Sequence, residues 1–138
     1  MKRIFFIVLF IATILTSDDL QVESSIFKKI IGAMVKSDTL PKVFIYKKND
    51  SLQKYPDGLE LVSSCAYADV VIVSTLKNLP GSCSDKIIFG TKYSHLSDKR
   101  VVGALFWQKG RPNILFYKNR LDIDNIKLDS SFDKYIEK

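Results

Sequence analysis

Residues 101–108 read Val-Val-Gly-Ala-Leu-Phe-Trp-Gln and carry apolar side chains at odd and even positions alike. A strand sends successive side chains to opposite faces, so this segment needs an apolar layer on each side and belongs inside a sheet. The apolar run breaks at Gln108-Lys109-Gly110-Arg111 and resumes as Pro112-Asn113-Ile114-Leu115-Phe116-Tyr117. A two-residue turn at Lys109-Gly110 sets Leu105 opposite Ile114 and Gly103 opposite Phe116, where a glycine leaves room for the ring. Simple alternation puts Val101, Leu105 and Trp107 on one face and Val102, Ala104 and Phe106 on the other. Pro112 has no amide donor, which makes the start of the second strand an edge or bulge position.

Other segments supply the rest of a sheet. Val70-Val71-Ile72-Val73 is a continuous β-branched run of the kind buried on both faces, and it predicts a central strand. Strands are also expected at Lys42–Lys47, entered through Pro41, at about residues 59–63, and at Lys86–Thr91. The Pro56-Asp57-Gly58 sequence is turn chemistry. The segment between Val73 and Lys86 is too short and too broken by Pro80 and Gly81 for a crossover helix. It is therefore either a compressed parallel crossover or a link between strands that are not neighbours. Ile26, Phe27, Ile30, Ile31, Met34 and Val35 recur at helical spacing, with Ser24 or Ser25 as the expected cap. Two short helical pieces are expected near the end, around Leu121 and around Phe132, Tyr135 and Ile136, the second capped by Asp129 or Ser130. The sum is an α/β protein: a small sandwich with a mixed central sheet of about five or six strands, an N-terminal helix and C-terminal helices.

The start of the chain has a different character. Met1-Lys2-Arg3 is basic and is followed by the unbroken apolar run Ile4 to Leu15. Twelve residues suit the apolar core of a secretion signal and fall short of the roughly 20 that span a bilayer as a helix. The reading is a signal peptide over residues 1–24, cut between 17 and 24, then one domain over 25–138, with no membrane span in the mature form; the alternative is an uncleaved membrane anchor. Cutting after Ser17 leaves 19 basic and 15 acidic side chains, a net of +4; cutting after Ser24 leaves 19 and 12, a net of +7. A basic exported domain points to acidic partners or anionic lipid headgroups rather than to nucleic acid.

Two cysteines in an exported chain pair, and Cys65 and Cys83 precede their strands by similar distances. If those strands run side by side in parallel, the sulfurs meet at one end of the sheet. No catalytic group is expected. His95 is the only histidine, and the nearness of Ser94, His95 and Asp98 in sequence does not make a triad, which is assembled by fold geometry. No phosphate-binding loop or dinucleotide fingerprint occurs, and no metal or cofactor is expected. What burial does not explain is a run from Lys99 to Leu121 with no carboxylate. Within it, Trp107, Lys109, Arg111, Asn113 and Arg120 are the candidate partner-binding residues, with Lys118 and Asn119 beside them. Lys109 and Arg111 supply charge, Trp107 an aromatic anchor if exposed, and the asparagines directional hydrogen bonds. The alternative is a solute binder with its ligand at the end of the sheet near Cys65, Cys83 and Trp107.

The order of these segments resembles a family of small exported regulators, the YfiR/HmsC type. The resemblance rests on Cys65, Ala66, Asp69 and Val70 to Ser74; on Lys86 to Leu96; on Val102 to Phe106; on Lys109-Gly110-Arg111 and Asn113 to Phe116; and on Asn119-Arg120-Leu121 and Ile126 to Phe132. It covers most of residues 26–136. The chain departs from the family in its shortened segment before Lys86, in its first helix and in its cysteine pairing. The resemblance implies a periplasmic, non-catalytic protein that binds the outer domain of an inner-membrane signalling protein, typically a diguanylate cyclase. It leaves a homodimer open.

Overall fold

The computed structural model describes residues 17–138. The apolar run assigned to a signal, residues 4–15, lies outside the described residues. A long helix α1 (Ser17–Met34) leads into strand β1 (Lys42–Tyr46), a short helix α2 (Asp50–Lys54) and strands β2 (Glu60–Val62), β3 (Val70–Val73) and β4 (Ile87–Gly90). The hairpin of β5 (Val101–Gln108) and β6 (Arg111–Tyr117) follows, then helix α3 (Lys118–Ile123), a 3₁₀ turn (Ser130–Tyr135) and a two-residue strand β7 (Ile136–Glu137). The strands form one seven-stranded sheet in the order β2-β1-β3-β4-β5-β6-β7. The α/β class and the terminal helical pieces are as expected. The extra strand is β7, which pairs in parallel with β6 through Phe116 and Ile136, at a place where apolar spacing suggests a helix.

β1 to β5 are parallel neighbours. The link from β3 to β4 is the compressed crossover, with a single 3₁₀ turn (Gly81–Cys83) in place of a helix. β3 is buried at all four residues, as a strand covered on both faces must be. One face packs against the helices through Phe27, Ile30, Ile31, Leu52, Val102, Leu105 and Phe116, all within one apolar cluster. The other carries Cys65, Val71, Cys83, Ile88, Leu96, Val101, Ala104 and Phe106. Among the described residues, no long helix covers that second face. Three 3₁₀ turns, Cys65–Tyr67, Gly81–Cys83 and Tyr93–Ser97, bring Cys65, Cys83 and Leu96 down onto it.

Two expectations are corrected, and one short helix is added to the sequence reading. α1 does not begin at a Ser24 or Ser25 cap. The buried stripe continues back through Ser24, which is 1% exposed inside the helix and donates through Oγ to the Tyr55 carbonyl at 2.8 Å. A small hydroxyl with its own acceptor can sit at such a contact, so serine there marks close packing rather than a helix end. α2 is capped by Asn49, whose side chain accepts from Leu52 N and Ser51 Oγ, and it buries Leu52; one apolar side chain among four polar ones shows no helical period in the sequence. Finally, β5 does not alternate uniformly. Ile88 pairs with Val101 but Phe89 pairs with Gly103, so β5 holds one extra residue there. The bulge puts Val102 with Leu105 on the helix side and Val101 with Ala104 and Phe106 on the other, the reverse of simple alternation for the two valines.

Candidate docking surface on the late hairpin

The hairpin has the register read from its sequence: Gly103 faces Phe116, Leu105 faces Ile114, and Gln108 faces Arg111 across the turn. Lys109 and Gly110 both have positive φ, 53° and 75°, which is the backbone of the twist-matched two-residue turn. The turn thus holds a lysine outward at the tip, and Lys109 and Arg111 are both exposed. Neither forms an ion pair among the described residues.

The structure divides the candidate residues. Arg111, Asn113, Leu115 and Tyr117 are alternate positions of β6 on the face away from the helices, where Leu115 and Tyr117 pack against the second cluster. Asn113 is half-buried and donates through Nδ2 to the Arg111 carbonyl at 3.1 Å. Arg120 ends this row with its guanidinium 4.4 Å from the Tyr117 ring centroid. Its Nη1 donates to the carbonyls of Leu96, Asp98 and Val101 at 2.8, 3.1 and 2.9 Å. Arg120 therefore fixes the loop that enters β5 and lies at the far end from Lys109, roughly 20 Å along the strand at 3.3 Å per residue. Tyr93, 63% exposed, packs edge-on against Phe106 on the same side.

Trp107 is elsewhere. It is half-buried, and its Nε1 donates to the Glu23 carboxylate on α1, so it belongs to the helix face and its polar atom already has a partner. A cut after Ser24 would remove both this carboxylate and the Ser24 hydroxyl, whereas a cut after Ser17 keeps them.

Cys65 and Cys83 form a disulfide across 18 residues, with Cα atoms 5.0 Å apart at the amino-terminal ends of the parallel strands β3 and β4. They are 1% and 0% exposed. A thiol reagent reaches such a bridge only after local opening, so its place in the fold is that of a staple. Because β4 and β5 are parallel, Trp107 sits at the opposite end of the sheet from the cysteines. The solute site imagined between the three is not assembled.

His95 is 5% exposed, and its Nδ1 accepts the backbone amides of Thr91 and Lys92 at 3.0 and 3.2 Å. Asp98 instead pairs with Arg100. Ser94, His95 and Asp98 are therefore not arranged as a triad. Burial, and secondarily the Lys92 charge, hold the imidazole pKa below its ordinary 6.5, with a backbone hydrogen bond to Ser74 acting the other way. A proton on Nδ1 would set a third N–H against two others. Below pH 6.5 the unfolded chain takes up a proton that the folded chain resists, so the unfolded state binds more protons and stability is lost as the pH is lowered. Urea midpoints measured at pH 7 and 5.5 should drop on acidification, and the drop should be reduced in His95→Gln, since no other histidine titrates there. Equal pH dependence in the two proteins would assign the effect to other groups.

No family model matches this chain, and no curated protein matches it. Among solved structures, the fold is similar to the crystal structure of a conserved domain protein from Vibrio cholerae, with a TM-score of 0.56 and 10% sequence identity. The match covers 82% of this chain and 58% of that one, so this chain spans less than two thirds of its neighbour's length. At that identity the likeness is one of fold. Among the described residues no helix is long and apolar enough to cross a membrane.

Proposed function

We propose that this chain is an exported, non-catalytic regulator of the YfiR type, which works in the periplasm by docking on the outer domain of an inner-membrane signalling protein, a diguanylate cyclase or a sensor kinase. Its export is inferred from the basic start and the twelve-residue apolar run. A buried disulfide, and no spanning helix among the described residues, are compatible with that compartment. The observation that carries the docking reading is the outer face of the hairpin. Arg111, Asn113, Leu115 and Tyr117 stand in a row from tip to base, with Tyr93 and Arg120 beside them and no carboxylate from Lys99 to Leu121. Half-exposed aromatic and aliphatic groups, with the exposed cations Lys109 and Arg111 at the tip, suit a partner surface that is acidic around an apolar centre.

Reversing the tip charges with Lys109→Glu and Arg111→Glu leaves the fold intact, because both side chains are exposed and unpaired. The variant should lose capture of the membrane partner by about 100-fold, the scale of two rim charges changed in sign. The measurement is affinity capture from native membranes followed by identification of the retained proteins. Unchanged recovery of a signalling protein would remove the hairpin tip from the site.

A further inference from the structure

The second strand of the hairpin is only partly covered on its outer side. β7 pairs with Phe116 and Tyr117 and no further, so, among the described residues, 111–115 form an open sheet edge. In a hairpin closed by a two-residue turn the pair flanking the turn exchanges both hydrogen bonds and the next pair exchanges none. Counting from Gln108 and Arg111, the outward-facing backbone groups of β6 belong to Pro112, Ile114 and Phe116. β7 uses Phe116. Pro112 has no N–H, and the Ile114 amide and carbonyl have no partner outside the ladder among the described residues. An amide and carbonyl at such an edge are the template on which an extended chain adds.

A groove of about 600 Å³ lies directly beside this edge, between α1 and the 3₁₀ turn Ser130–Tyr135. Ile26, Ile114, Phe132 and Tyr135 give it an apolar floor; Lys29 and Lys134 stand at its rim, and no carboxylate lines it. We infer that this slot receives a short extended segment of the partner, acidic beside alternating apolar residues, which adds as a strand to β6 in line with β7. Charge selects this occupant over a second copy of the chain, because edge-to-edge pairing of two β6 strands would bring the lysine and arginine of one tip against the basic edge of the other. Pro112 limits the slot to about four residues, or about 13 Å of strand. The inference rests on the docking reading for the partner's identity, but the slot can be tested without that partner.

The test selects binders to the purified mature protein from a displayed library of random heptapeptides, in parallel with Lys29→Glu plus Lys134→Glu. Enriched peptides should carry Asp or Glu alternating with apolar residues, and that preference should vanish on the variant. With an enriched peptide bound, the Ile114 amide should exchange with solvent about tenfold more slowly or less. The inference is overturned by selection that yields no enrichment or peptides without acids, or by peptides equally retained on the variant. Protection of Ile114 that rises with protein concentration in the absence of peptide would also overturn it, in favour of a second copy. Peptide selection as expected, with no signalling protein recovered from membranes, would instead overturn the regulator reading and leave the slot standing.

Discussion

A Cys65→Ala, Cys83→Ala double variant should be about 3 kcal/mol less stable than the native protein, with a melting midpoint lower by about 10 °C. The bridge closes a separation of 18 residues, and its loss restores that chain entropy to the unfolded state. The second face of the sheet depends on it more than the first does. Two of the 3₁₀ turns that cover this face, Cys65–Tyr67 and Gly81–Cys83, hold the half-cystines themselves, and among the described residues no long helix is there to take over. Alanine is the substitution of choice because a serine hydroxyl at a site 0 to 1% exposed would add a desolvated polar group to the lost crosslink. Denaturant curves of the two proteins, without reductant, measure the difference. A double variant as stable as the native chain would mean that the turns hold their places by packing alone.

The second large effect is at Gly103. A Cβ there would lie 2.6 Å from the Leu115 carbonyl oxygen and 2.7 Å from Phe116 Cδ1. The carbonyl is part of the ladder between β5 and β6. The Phe116 ring is itself fixed, with ring centroids of Phe89 and Phe132 at 5.7 and 6.2 Å. Neither neighbour can retreat, so Gly103→Val should cost about 3 kcal/mol or more. Adding Phe116→Leu should recover little, since the carbonyl contact remains and a cavity is added. Gly32, on the exposed side of α1, is the internal control: a Cβ there meets nothing within 4 Å. Gly32→Ala should stabilise the protein by about 0.5 to 1 kcal/mol through lower chain entropy and better helix propensity. Thermal melts of the two variants should move in opposite directions. A Gly103→Val protein that melts with the native one would show that β5 and β6 are not held in this register.

These positions also show what sequence reasoning can reach. The hairpin was legible because its turn is two residues long and its pairing follows by counting from Lys109 and Gly110. The glycine opposite Phe116 confirms the count by geometry. The cysteine pair was legible for a related reason: two parallel strands, β3 and β4, that start at Val70 and Ile87, at similar distances after Cys65 and Cys83, bring the sulfurs together. What escaped was tertiary. The extra residue at Val102 leaves no mark in an apolar run in which every neighbour is also apolar. Ser24 resembles a cap until its acceptor on the Tyr55 carbonyl is known. β7 is strand only because the β6 edge is there to pair with it.

The candidate surface was half legible. The absence of acids marked the segment, and the alternation of β6 groups Arg111 and Asn113 with Leu115 and Tyr117. Trp107 and Arg120 were drawn in by proximity in sequence alone. Glu23 and the carbonyls of Leu96, Asp98 and Val101 are 84, 24, 22 and 19 residues away from the side chains they engage, and no local pattern foretells them.

The docking claim is tested most directly by contact in the living cell. A photo-crosslinking amino acid placed at Asn113, half-buried on the outer face of the hairpin, is compared with one at Leu61, 39% exposed on β2 at the opposite edge of the sheet. The account predicts an adduct from position 113 that contains an inner-membrane signalling protein, and none from position 61. Adducts from position 61 alone, or from neither position, would contradict it.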